Sequence, residues 1–303
     1  MKLFMSRPYL PEGMNQSYRA NAEALLTLND IKKYIRESQP LELTVDRCDS
    51  RHDLHTTLSG FPAVIRRSEA ISSAVSGAEK EIAVISLVGK TISCELTDMV
   101  LDENGGTVLL LSRKHIQEKA LSYLLNTLTE GDVIPAVITS LSPIGAFVDI
   151  GCGIIALLPI RQISVSRIHH PRERFSPYQT IYTAVQKIDR ENNRFLLTHK
   201  ELLGTWRENA AAFQAGETVT GVVRGVKSYG VFVELAPNLT GLAEPDNTLH
   251  DGDRVCVLIK TILPEKHKVK LHIISVLGTA ENVDPLHYFI KSGNITDWDY
   301  RAP

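Results

Sequence analysis

Long apolar runs are missing from this 303-residue chain, and no stretch approaches the ~20 apolar residues that span a bilayer, so no membrane contact is expected. The opening Met-Lys-Leu-Phe-Met-Ser-Arg has too little apolar length for a secretory signal, which points to a cytoplasmic protein. Cysteine is scarce. Cys48, Cys94, Cys152 and Cys256 lie scattered, with neither CxxC nor metal-ligand spacing, so reduced thiols are expected and a disulfide framework is not. An excess of positive charge is missing too: 33 Lys and Arg stand against 35 Asp and Glu, a net charge of -2. A protein that coats duplex DNA by charge alone would be strongly basic, so any nucleic-acid contact here has to be local. Catalytic signatures are absent as well, with no GxxxxGK[ST], GxSxG or HExxH, no carboxylate cluster suited to two-metal cleavage, and dispersed histidines. Gly151-Cys152-Gly153-Ile154-Ile155-Ala156 satisfies GxGxxA only superficially. That fingerprint needs a helix after its glycines, and a strand ending at Pro159 is predicted instead. No catalytic residue, cofactor or metal ligand is expected.

What is present is an ordinary globular balance, 43% hydrophobic and 22% charged, together with internal repetition. Gly131-Asp132-Val133-Ile134 opens a Val/Ile-rich stretch that reaches Ile144-Gly145-Ala146-Phe147-Val148-Asp149, and Gly216-Glu217-Thr218-Val219 opens another that reaches Tyr229-Gly230-Val231-Phe232-Val233-Glu234. Gly131 to Gly216 and Phe147 to Phe232 are both 85 positions, so two features recur in register. Each copy closes on a strand–polar turn–strand pattern, at Gln186–Thr198 and at Lys260–Leu271. A similar hairpin at Glu95–Ser112 closes a third, degenerate unit. Five short β-branched strands per unit argue for small antiparallel barrels, and an OB-type barrel fits the length and the strand count. The expected fold is mainly β, with tandem five-stranded OB-fold barrels joined by short α-helices. Apolar residues at three- and four-residue intervals predict linker helices over Ser112–Leu128 and Thr198–Phe213, and a further helical stretch over Asn21–Glu37. The expected division is a helical segment 1–38, a degenerate OB unit 39–115, a linker helix 116–130, an OB unit 131–201, a linker helix 202–215, an OB unit 216–276 and a tail 277–303.

Chemistry concentrates where glycine meets aromatics. A glycine inside a strand permits a bend that a side chain would obstruct, which can set Tyr229 and Phe232 on one surface as a platform for stacking bases. By spacing alone Phe147 and Phe232 read as core residues, and their recurrence beside glycine and next to basic hairpins reverses that preference in favour of the platform. Two segments are locally basic: Arg161–Arg174, with four arginines against Glu173, and Lys260–Lys270, with four lysines against Glu265. Solvated loops would look the same.

Gly-acid-x-Val, Tyr229-Gly230-Val231-Phe232-Val233, Gly241-Leu242-Ala243-Glu244 and the Asp189–Thr198 hairpin together resemble the S-one RNA-binding domain, the OB-fold module repeated in bacterial ribosomal protein S-one and appended to several ribonucleases. The resemblance covers units two and three nearly in full, and unit one only in its closing hairpin and the Ala63-Val64-Ile65 strand. With its linkers the chain looks like a short, three-unit protein of the type found in Gram-positive bacteria related to the clostridia. It implies single-stranded RNA binding, with messenger RNA as partner and the small ribosomal subunit as a further one, in translation. In unit two the family's binding positions fall on Ile144, Phe147, Pro159, Asp189 and Arg194. In unit three they fall on Tyr229, Phe232, Glu244, Pro264 and Lys268, with Lys266 beside them. Ile144 cannot stack, Pro159 cannot donate, Glu244 repels phosphate and Pro264 has no carboxylate, so each platform is incomplete. In unit one Arg66 stands in the position of the family's histidine and the aromatic motif is absent. An S-one-bearing nuclease would need a catalytic domain for which three units leave no room. The rival reading is a protein-interaction module in which the degenerate unit docks a ribosomal or polymerase partner and RNA contact is secondary. For the aromatic C-terminal stretch Leu286–Tyr300, packing back onto the last barrel is favoured over a partner-binding tail.

Overall fold

In the second repeat the Val/Ile-rich stretches become strands β7 (Val133–Ser142), β8 (Gly145–Asp149), β9 (Ile155–Pro159), β10 (Thr180–Asp189) and β11 (Arg194–Thr198), closed into a barrel in the order β10-β11-β9-β8-β7. The third repeat does the same with β12 (Thr218–Lys227), β13 (Gly230–Ala236), β14 (Leu239–Ala243), β15 (Asp253–Leu263) and β16 (Lys268–Thr279). The computed structural model describes residues 7–25, 27–73, 80–279 and 285–301. Each barrel is antiparallel except where its third strand runs parallel to its fifth, at Leu157–Leu196 and Leu242–Lys270. This is the OB arrangement.

The 85-residue register extends to a structural irregularity. The first strand of each barrel shifts register against the second between Ile138 and Ser140, and between Val223 and Gly225. A bulge there raises the local twist, so one long strand pairs with β10 or β15 through its first half and with β8 or β13 through its second.

Unit one solves the same problem by breaking that strand. β1 (Pro40–Thr44), β2 (Arg47–Cys48), β3 (Leu54–Leu58), β4 (Phe61–Ile65), β5 (Thr91–Leu101) and β6 (Thr107–Ser112) form a six-stranded sheet ordered β1-β5-β6-β4-β3-β2. β1 pairs with β5 and β2 with β3, the two partners of an unbroken first strand. Between them Val45 N–H donates to Lys90 O and Asp46 N–H to His55 O. Unit one is therefore the degenerate OB unit of the three: its first strand is split, and six strands form one sheet where the other units each close five into a barrel.

The helices differ in detail from the sequence reading. The stretch 21–37 is interrupted, giving α1 (Gln16–Glu23) and α2 (Leu28–Glu37), the second with a Thr27–Asp30 capping box. Short helices α3 (Arg67–Ala70) and α4 (Lys80–Ile85) follow β4. The first linker is one helix, α5 (Arg113–Thr127), N-capped by Ser112. Ile116, Ala120, Leu121 and Leu124 enter the same core as Ile134, Ile138, Val148 and Leu197 of the second barrel. From the other side Lys119 pairs with Glu95 of unit one at 2.7 Å. The second linker is not a continuous helix. It is a 3-10 turn at Lys200–Leu203, then α6 (Trp206–Ala210), because Gly204 takes φ +84° and Thr205 restarts the chain with a capping box to Glu208.

Residues 285–301 run back over both barrels without helix or long strand. Val133 N–H donates to Gly293 O, Ile295 N–H to Gly131 O, and Trp206 N–H to Tyr300 O. Tyr288 packs its ring edge-on to Tyr182, and its hydroxyl lies 3.0 Å from Nε2 of the buried His199. The tail thus packs back, as favoured, but onto the second barrel as well as the third. The decoy Gly151-Cys152-Gly153 is a turn leading into β9, not a helix N-terminus, and all four cysteines are free thiols. Among the described residues no helix is long and apolar enough to cross a membrane.

Candidate nucleic-acid interface

Gly230 opens β13 at φ +157°, and a Cβ there would sit 2.6 Å from Ala243 O on the neighbouring strand. Gly145 opens β8 at φ +155° and would collide likewise with Leu158 O. Only glycine fits this close approach of two strands. The tight turn before it throws Tyr229 to the hairpin tip, 65% exposed, with Ile144 in the equivalent place at 61%.

Strand alternation then decides which way the phenylalanines face. Val231 and Val233 point into the third barrel and are fully buried, so Phe232 between them faces out, half-buried. Ala146 and Val148 impose the same on Phe147. Tyr229 and Phe232 meet edge-to-face, centroids 6.1 Å apart and planes at 88°. Across the outer surface the register runs Phe232–Leu242–Lys270 in the third barrel and Phe147–Leu157–Leu196 in the second.

Lysines frame the pair in unit three. On β16 Val269 and Leu271 are buried, so Lys268 and Lys270 share the exposed side, and Lys266 sits exposed in the preceding turn. Phe232, Lys227, Lys266 and Lys268 line one cleft of about 860 Å³. Glu244 does not stand bare beside it. Its carboxylate bonds Lys260 at 2.8 Å and faces His272 at 3.7 Å, and the lysine holds its pKa below the usual carboxylate value. His267 turns the chain at φ +48° and sets its ring edge-on to Trp206.

The second barrel's predicted residues are not gathered into this cleft. Phe147 lies on the outer face of β8, while Asp189 and Arg194 face each other in register at the β10–β11 turn. The Asp189 carboxylate is occupied within that turn. It accepts from the Asn192 side chain at 2.8 Å and the Asn192 backbone at 3.0 Å, which lowers its pKa. Arg194 is exposed. Lys227 and Lys270 escaped sequence reasoning at the level of single residues. The signal for Lys270 was its spacing of two from Lys268, which puts both on one strand face. Of the basic segment 161–174, Arg174 is buried in an ion pair with Glu234 at 2.5 Å, and Arg167 is exposed on the cleft.

The S1 RNA binding domain family matches residues 127–200, the second barrel. Over 212 residues the chain is 31% identical to small ribosomal subunit protein bS1 of Staphylococcus aureus, covering 65% of this chain and 53% of that protein. The bS1 protein of Leuconostoc lactis is 30% identical over 192 residues, 58% of this chain and 44% of its own length. The chain spans about half the length of these relatives. A multidomain protein with nucleic acid binding domains from Streptococcus pneumoniae aligns at 12% identity over 78% of this chain and 74% of its own, with a TM-score of 0.26.

Proposed function

We infer that this chain, a tandem OB-fold protein whose second barrel is an S1 RNA binding domain, binds single-stranded RNA and acts in the cytoplasm on messenger RNA in translation, in association with the small ribosomal subunit. It does so as a binding protein and not as a nuclease. The observation that carries this is the third barrel's outer face. There exposed Tyr229 and half-buried, outward-facing Phe232 stand beside Lys227, Lys266 and Lys268, which form no ion pair among the described residues. Stacking is available to any base, and the lysines supply phosphate contacts, the combination that suits single strands without demanding a sequence. The match to bS1 proteins over 65% of the chain supports the ribosomal setting.

The test is a titration of labelled oligouridylate and of a duplex RNA of equal length at several salt concentrations. The single strand is expected to bind better, with log affinity falling linearly in log salt. Equal weak binding of both, or none, would refute the reading in favour of protein docking. RNA incubated with the pure protein and divalent metal should stay intact.

A further inference from the structure

The basic loop of the second barrel does not hang over solvent; it is seated on the third. Ser166 N–H donates to Pro237 O at 2.9 Å, Val165 N–H to the Asn238 side chain at 3.0 Å, and the Ser166 hydroxyl lies 2.8 Å from that of Thr240. His169 faces Asp251 at 3.5 Å. Beneath them Glu234 of β13 takes Arg174 of the loop and Arg224 of β12, and Arg224 also reaches Glu173. Arg174, Glu234 and Arg224 are all nearly buried, and a charge left unpaired there would be costly. The two barrels are therefore held in one register, and the loop is a fixed wall.

That wall belongs to the cleft that Phe232 lines. Val165, Ser166 and Arg167 of unit two line it together with the lysines of unit three and with Tyr300 and Arg301 of the tail. Tyr300 is held by its own hydroxyl, which donates to Asn238 O at 2.7 Å, and by Trp206 N–H, which donates to its carbonyl. Arg167 and Arg301 thus reach one cavity from sequence positions 134 apart. Like Lys227, Lys266 and Lys268 they have no ion-pair partner among the described residues, while Arg174, Arg224 and Lys260 nearby are neutralised. Of the two carboxylates on the lining, Asp251 already faces His169. Five unpaired cations around one cleft repel each other, and a polyanion relieves that repulsion.

We propose that the RNA site of the third barrel is a cleft shared with the second barrel and the C-terminal tail, in which Arg167 and Arg301 contact phosphates of the strand whose bases stack on Tyr229 and Phe232. The proposal rests on the reading that this face binds single-stranded RNA, and it adds that the strand crosses the boundary between barrels. Their mutual register is then part of the site, where linked independent modules would gain only from effective concentration.

The experiment titrates a labelled oligouridylate of about twelve nucleotides, within the span one OB fold covers, into the full chain and two variants at graded salt. Arg167→Ala/Arg301→Ala is expected to weaken binding about tenfold and to flatten the log–log salt slope by ~1.4, two single-strand phosphate contacts. Both residues are exposed, so the melting temperature should not move. Phe232→Ala is the control. If it weakens binding and the double variant does not, the shared cleft is wrong and a single-barrel site stands. If neither variant changes binding, the cleft and the single-strand reading of unit three both fall.

Discussion

Phe232 presents its ring to the outer face of the third barrel, between two valines that face the core. A phenylalanine inside a Val-rich strand reads as core by composition, and only the parity of Val231 and Val233 turns it outward. What the repeat made legible is the outward aromatic pair, because the motif recurs with its glycine. The reason for that glycine, a neighbouring carbonyl 2.6 Å from any Cβ, needed the paired strand. Two outcomes follow at this scale. Phe232→Ala should cost ~1–3 kcal/mol of RNA affinity at every ionic strength with the salt slope unchanged, and much less stability than the ~3–5 kcal/mol of a buried phenylalanine. Lys268→Ala should instead lower the slope by ~0.7. Titrations paired with thermal melts separate the two effects. Gly230→Ala should destabilise the third barrel by roughly 1–3 kcal/mol through its φ alone, before the clash is added, as a lower melting temperature would show.

The elements that resisted sequence reading are those shaped by distant partners. Helical periodicity over 198–213 was real, yet Gly204 breaks it; a Cβ there would meet the Phe289 ring from the tail, 85 residues on. The arginines at 161–174 looked alike in sequence, and only the docked third barrel separates buried Arg174 from exposed Arg167. His199 is the buried histidine of this junction. It is fully buried between Ile163 O, 2.7 Å from Nδ1, and the Tyr288 hydroxyl, with the Phe175 ring edge-on and Arg174 near enough to oppose a positive charge. Burial first, then Arg174, lowers its pKa to about 4. The unfolded chain keeps a value near 6.5 and so binds the extra proton between the two. Its contribution is whole above pH 6.5 and falls away as pH drops toward 4. Between pH 7 and pH 5 this removes up to ~2 kcal/mol. His199→Gln should shrink the difference in urea midpoint between those pH values, and an unchanged difference would place the acid sensitivity elsewhere.

At the scale of the molecule, repeats of sequence are not the same as packing units. The 85-residue period marks Gly131 as the start of a barrel, but the core of that barrel includes Ile116, Ala120, Leu121 and Leu124 of α5, which precede it. At the other end the tail beyond Thr279 supplies the partner for Val133 N–H and covers His199 through Tyr288. Neither was visible in the motif, because both are single-copy segments that bury the outside of a repeated one. A fragment of residues 131–275 would therefore expose apolar surface at both ends. Stripping four aliphatic side chains of α5 from their core costs ~1.5–3 kcal/mol for each large one, as an upper estimate, which is comparable with the ~5–15 kcal/mol that holds a domain folded. A fragment of residues 113–303 keeps the helix, both barrels, the Arg174–Glu234–Arg224 junction and the tail. It should melt in one cooperative transition and bind oligouridylate within about threefold of the full chain, a difference of less than ~0.7 kcal/mol. The shorter fragment should melt far lower, or without a sharp transition, and lose affinity along with Arg301. Circular dichroism melts of the two fragments beside the full chain decide the matter. Equal melting temperatures would mean that α5 and the tail merely rest on the barrels, and that the motif boundaries are also the boundaries of stability.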